Sequence, residues 1–199
     1  LPLLLAGLLL VMIQYVVSDR RPFDPIIRFL ARACMRLFGV TVNVRGRYRI
    51  PHRRAVLYMS NHVSIVDPLL LFTVLRPPVR GVELEDHFRW PIWGAITRGM
   101  GTIPISHRSV REAVASLERA ASLLEAGVSI GILPEGHRTR TGALAPFMRG
   151  PFRLALGVDA PIVPIALRGL YEVKNVHSPR FRPGRVQVVF GTPIEPGGA

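Results

Sequence analysis

Short apolar runs bounded by turn residues, with helix-length segments between them, limit what this 199-residue chain can fold into. Val56–Met59, Val128–Leu133, Pro161–Leu167 and Arg185–Phe190 are too short for stable helices and read as buried strands. Between the first two, Asp67-Pro68 opens a helix, with Asp67 as N-cap and Pro68 in the first helical position, where its missing N–H costs nothing. Ser109-Val110-Arg111-Glu112 is a capping box. Behind it Val110, Ala113, Val114, Leu117, Ala120, Ala121 and Leu124 keep the helical period until Gly127 stops it. Strands interleaved with helices predict an α/β fold, a mostly parallel sheet flanked by helices. Pro161 and Pro164 place their strand at an edge or a bulge.

The N-terminus reads differently. Leu1–Val17 is apolar apart from Gln14, and as a helix it spans about 25 Å, slightly less than a bilayer core. A signal peptide is one rival reading, but "SDRRPFDP" rather than a small-x-small cleavage site comes after it. A buried helix is the other. From Asp19 to Arg54 there are ten arginines and two acidic residues. Within that run Asp24-Pro25 opens a helix and Gly39 closes it; Arg28, Arg32 and Arg36 form one stripe among Ile26, Ile27, Phe29, Leu30, Ala33, Cys34 and Leu37. This is the pattern of a basic helix lying on a membrane, or of a core helix whose arginines face water. The expected organisation is an N-terminal membrane-associating segment over residues 1–40 and an α/β domain over 41–199. Arginines after an apolar anchor place the C-terminal part of the chain on the cytoplasmic side, and the arginine-rich, nearly lysine-free composition points to a bacterial inner membrane.

Net charge agrees with an anionic partner: it is +13, and Lys174 is the sole lysine among 26 basic residues. The partner is expected to be the lipid bilayer rather than nucleic acid, because the basic run is preceded by an apolar segment and no nucleic-acid-binding motif is visible. Cys34 stands alone, so no disulfide framework exists. Six histidines show no close pair at metal-ligand spacing, so neither a metal nor a bound cofactor is expected.

"SNHVSIVDP" (Ser60–Pro68) puts an imidazole and a carboxylate five residues apart. On a continuous helix that offset is about 140° around the axis, so His62 and Asp67 meet only across an irregular strand-to-helix loop. "LPEGHRTRTG" (Leu133–Gly142) puts Glu135 and Arg138 on a glycine-containing turn after another strand. The order Asn61-His62-x4-Asp67, an apolar Gly/Pro-rich segment ending Ile105-Ser106-His107-Arg108, Pro134-Glu135-Gly136-x-Arg138, and Ile162-Val163-Pro164 resembles the glycerolipid acyltransferase family from about Ala55 to Leu167.

That resemblance implies acyl transfer from a thioester, acyl-CoA or acyl-carrier protein acting as co-substrate, to the free hydroxyl of a lysophospholipid. The leading acceptor is 1-acylglycerol-3-phosphate, giving phosphatidic acid; another lysolipid, such as lyso-ornithine lipid, is the alternative. A hydroxyl becomes a useful nucleophile when a positioned base takes its proton, and neutral His62 oriented by Asp67 suits that role. No Gly-x-Ser-x-Gly elbow is present and no cysteine lies near His62, which favours direct attack by the acceptor over an acyl-enzyme. By resemblance, Arg108 and Arg138 bind the acceptor's phosphate, and Glu135 and Gly136 shape the turn that presents Arg138, with Glu135 contacting acceptor hydroxyls. Two positions depart from the family pattern: Gly81-Val82-Glu83-Leu84 lacks an opening lysine, and His137 replaces a threonine or serine. An oxyanion role for the lysine then falls to backbone N–H groups.

Full-length protein is expected to stay with membranes at high salt. Removal of residues 1–17 should leave binding that is salt-sensitive and needs anionic lipid, as read by vesicle flotation. Release of the full chain by high salt would refute the anchor.

Overall fold

A computed structural model describes residues 24–106 and 109–197, so the apolar segment Leu1–Val17 lies outside the described residues. Seven strands form one sheet in the order β1-β7-β6-β2-β5-β3-β4. They are β1 (Val40–Arg45), β2 (Leu57–Ser60), β3 (Val79–Leu84), β4 (Ile103–Ile105), β5 (Ser129–Ile132), β6 (Ile162–Arg168) and β7 (Gly184–Phe190). The β6–β7 pair is antiparallel and every other pair is parallel. The helices are α1 (Asp24–Leu37), α2 (Asp67–Val74), α3 (Pro91–Gly99), α4 (Val110–Glu125), α5 (Gly150–Gly157) and α6 (Leu170–Val173). The mostly parallel α/β architecture expected from the strand–helix alternation is therefore present.

Alternation along β2 and β6 sorts the core into two layers. Tyr58, Val163, Ile165 and Leu167 face the larger one, with α1, α2 and α6 residues such as Ile27, Met35, Leu70 and Leu170. Leu57, Met59, Ile130 and Ile132 face the other, where Ala120 and Leu124 of α4 meet Leu154 and Ala155 of α5. Ser109 caps α4 as its spacing implied, its Oγ accepting the Glu112 amide at 3.2 Å. β1, β3 and β4 were not apparent from the sequence: β3 carries Arg80, Gly81 and Glu83, and β4 is three residues long.

Two local expectations give way to packing. β6 is interior, between β2 and β7, in spite of its prolines. Pro164 is tolerated because the β7 ladder starts at Ile165↔Phe190. Its missing N–H therefore falls where β7 has ended and Gly191 donates to the Pro164 carbonyl at 2.8 Å. Helix α1 does not expose its whole arginine stripe either. Ile27, Ala31 and Met35 bury one face, and Arg28 goes in with them at 7% exposure. Arg28 and Arg32 reach the Thr73 carbonyl at 3.5 and 3.1 Å, placing cations at the C-terminal end of α2, where its dipole is negative. Ile26, Phe29 and Leu37 remain exposed. Among the described residues no helix is long and apolar enough to cross a membrane.

A buried ion pair ties α1 to the sheet: Arg80 on β3 donates to Asp24 at 2.9 Å, with side chains 7% and 3% exposed. Asp24→Ala should lower stability by about 3–5 kcal/mol in urea unfolding, because it strands a buried guanidinium. Asp24→Leu combined with Arg80→Met should recover most of the loss; an additive loss in the double variant would contradict this account.

Candidate active site

β2 and β5 are parallel neighbours, but the chain leaves them in opposite directions. From β2 it passes through α2 to β3 on one side, and from β5 through α5 to β6 on the other. Such a switch point opens a crevice beyond the carboxyl ends of the two strands, and the loops after β2 and β5 meet there. His62 and Asp67 lie on the first loop, Glu135, Gly136 and Arg138 on the second.

The irregular loop after Ser60 does bring the first pair together. His62 Nδ1 lies 2.7 Å from Asp67 Oδ2, and the same oxygen accepts the amides of Val63 at 2.7 Å and Ser64 at 2.9 Å. Asp67 is thus the first residue of α2 rather than its N-cap, and its carboxylate turns back into the loop instead of capping the helix. The side chain is wholly buried. Burial pushes its carboxyl above the usual carboxylate range, opposed by the hydrogen bonds from His62, Ser64 and Val63. With Nδ1–H donating to Asp67, the other imidazole nitrogen is left as the acceptor, and the His62 side chain remains 17% exposed.

Glu135 joins the two loops. One oxygen accepts the His62 amide at 2.7 Å and the other the Ala145 amide at 2.8 Å, and the residue is 5% exposed. Both oxygens thus serve backbone amides, a positioning role rather than the open hydroxyl contact suggested by its place in the motif. Thr139 N–H donates to the His62 carbonyl at 2.8 Å from the same turn. Gly136 has φ +72°, and a Cβ there would lie 2.8 Å from Met148 Cε, so the turn admits no side chain while Met148 packs beneath it. Arg138 is half-buried and forms no hydrogen bond or ion pair within the described residues. Arg108 lies outside the described residues. Asn61, which the residue pattern alone left without a role, extends the sheet: its amide donates to the Leu167 carbonyl and accepts the Leu167 N–H, at 3.0 and 2.7 Å. An asparagine directly after a buried strand was the available signal.

Beside the loop, Pro68, Leu71 and Phe72 of α2 enclose an apolar cavity with Gly81 of β3 and Trp93 and Met100 from α3 and its end. Glu83 also lines this cavity and is engaged by His87, Nδ1 to Oε1 2.6 Å. No group of three or more potential metal ligands occurs among the described residues.

The chain is similar in sequence and in fold to known proteins. The acyltransferase family model matches residues 41–168. A 1-acyl-sn-glycerol-3-phosphate acyltransferase of Borreliella burgdorferi is 31% identical over 107 residues, 52% of this chain and 43% of that protein. The lyso-ornithine lipid O-acyltransferase of Rhizobium meliloti is 31% identical over 116 residues, 54% of this chain and 38% of that protein. The chain thus spans less than half the length of either relative. The crystal structure of the 1-acyl-sn-glycerophosphate (LPA) acyltransferase PlsC from Thermotoga maritima shares the fold, with TM-score 0.79 at 21% identity over 97% of this chain and 79% of that one.

Glu135→Ala should destabilise the protein by at least about 2 kcal/mol, since two loop amides lose their acceptor at ~1–3 kcal/mol each. Hydrogen exchange at His62 and Ala145 should rise more than at Ile130 in the middle of β5. Uniform exchange across all three would contradict the bridge.

Proposed function

Because the chain belongs to the acyltransferase family, we propose that it moves a fatty acyl group from a thioester to the free hydroxyl of a lysolipid, first of all 1-acylglycerol-3-phosphate. The observation that carries this reading is the His62–Asp67 pair, oriented by a buried carboxylate with one imidazole nitrogen left to accept a proton. That nitrogen takes the acceptor's hydroxyl proton as the oxygen attacks the thioester carbonyl. The tetrahedral intermediate then collapses, the C–S bond breaks, and the thiol leaves with a proton returned by the imidazolium. Asp67 holds the tautomer and stabilises the imidazolium. Arg138 is the phosphate ligand on the second loop, and Arg108 joins it by resemblance. The donor is acyl-CoA or acyl-carrier protein.

Residues 1–40 are proposed as the membrane-contacting part, on the cytoplasmic face. Exposed Ile26, Phe29 and Leu37 beside exposed Arg32 and Arg36 support it. A lyso-ornithine lipid as acceptor is the second reading, supported by the Rhizobium meliloti relative and by His137 next to Arg138, where the family pattern has threonine or serine.

His62→Ala should abolish transfer while leaving the fold intact. Asp67→Asn tests the charge on its own: all three donors converge on one oxygen, which an amide oxygen can replace. Turnover should still fall about 10²–10⁴-fold. Wild-type turnover in Asp67→Asn would reduce Asp67 to a structural residue. Arg138→Ala should raise KM for the phosphate-bearing acceptor at little change in kcat; an unchanged KM there, with transfer to lyso-ornithine lipid retained, would favour the second reading.

A further inference from the structure

The proposed reaction brings two acyl chains to His62, and the cavity beside Pro68, about 50 Å³, is too small for either. A second apolar space opens on the opposite face of the sheet. There β6 presents Ala166 and Arg168 to solvent. A groove of about 460 Å³ runs along these residues and Pro164, with Leu144 and Phe147 of the loop after β5 on its other side. It reaches Asn61 and Val63, the residues on either side of His62, and Pro134 and Glu135 from the second loop. Leu144, Phe147 and Ile194, all lining it, are 63%, 46% and 56% exposed, so its apolar wall is open at the surface.

Charge distinguishes the two spaces. In 1-acylglycerol-3-phosphate the free hydroxyl lies on the carbon between the ester-bearing and phosphate-bearing carbons. An acceptor site therefore needs an apolar trough and an available cation within a few ångströms of the same reacting atom. A thioester donor carries its phosphates far from the carbonyl, at the other end of the pantetheine arm. The charged side chains lining the cavity beside Pro68 are engaged: Arg80 with Asp24, and Glu83 with His87. The groove has Arg168 in its lining, exposed at the carboxyl end of β6, with no hydrogen bond or ion pair within the described residues.

Resting on the acyl-transfer reading, we propose that this groove binds the lysolipid acceptor, taking its single acyl chain along β6, and that Arg168 adds a further cation to Arg138 for its phosphate.

The test uses the full chain, with binding and turnover read separately. Binding is measured with 12-carbon lysophosphatidic acid below its micelle concentration and with the matching monoacylglycerol, which lacks the phosphate. Ala166→Trp should weaken binding of both about tenfold or more by filling the groove, and should shift acceptor preference toward shorter chains while the donor chain-length profile stays as in wild type. Arg168→Ala should weaken lysophosphatidic acid about tenfold and leave monoacylglycerol unchanged. Ala143→Trp, at a second exposed lining position, repeats the filling test independently. Wild-type acceptor binding in both tryptophan variants would overturn the proposal, as would a shift confined to the donor profile. Groove-dependent lysolipid binding without transfer from any thioester would instead sink the acyl-transfer reading and leave the lysolipid site standing.

Discussion

Parallel pairing of β2 with β5 at the centre of the sheet fixes where chemistry can occur, because the two strands hand the chain to opposite sides. Loops at such a point leave the ladder together, and their amides lose their strand partners in a half-buried crevice. Backbone donors there need acceptors. Two carboxylates supply them: Asp67 takes Val63 and Ser64 while Glu135 takes His62 and Ala145. The loop that carries the imidazole is thus built around buried acids, and its shape depends on them as much as on the strands.

Asp67 does two tasks that pull against each other. Its burial disfavours the charged form, and three donors on one oxygen oppose that shift without cancelling it. A carboxylate kept charged in such surroundings interacts strongly with an imidazolium, since little solvent screens the pair. The arginines divide in a comparable way. Arg80 neutralises Asp24, and Arg28 and Arg32 satisfy a carbonyl at the end of α2, so part of the excess charge is structural. Arg138 and Arg168, with no protein partner among the described residues, stand at the edge of the sheet where His62 lies. Their position sets them apart from the arginines that hold the fold together.

The apolar spaces arise from uneven coverage of the sheet. On one face α2 and α3 leave a small apolar cavity of about 50 Å³ beside β3. On the other, α4 and α5 cover β2 and β5 but stop short of the outer half of β6, leaving a groove open to the surface. Helices of these lengths cannot cover seven strands on both faces, and the uncovered portion borders the loop that carries His62.

Strand–helix alternation, the capped start of α4 and the motif residues were legible in the sequence because each rests on local preference or on short-range spacing. Local signals also misled. Pro161 and Pro164 argued for an edge strand, whereas the register of β7 made an interior place tolerable. Asp67 reads as both a helix cap and a partner of His62, and only the contact with His62 is present, while Arg28 looked solvent-facing until α2 offered it a carbonyl. By itself the sequence determined which residue types stand at the ends of which strands. Only the tertiary structure decided that Glu135 bridges to His62, that Asn61 extends the sheet to Leu167, and that two apolar spaces flank one loop. Those contacts join residues 73 and 106 positions apart; strand order creates them, and strand order is a property of the whole chain's packing that no local pattern encodes.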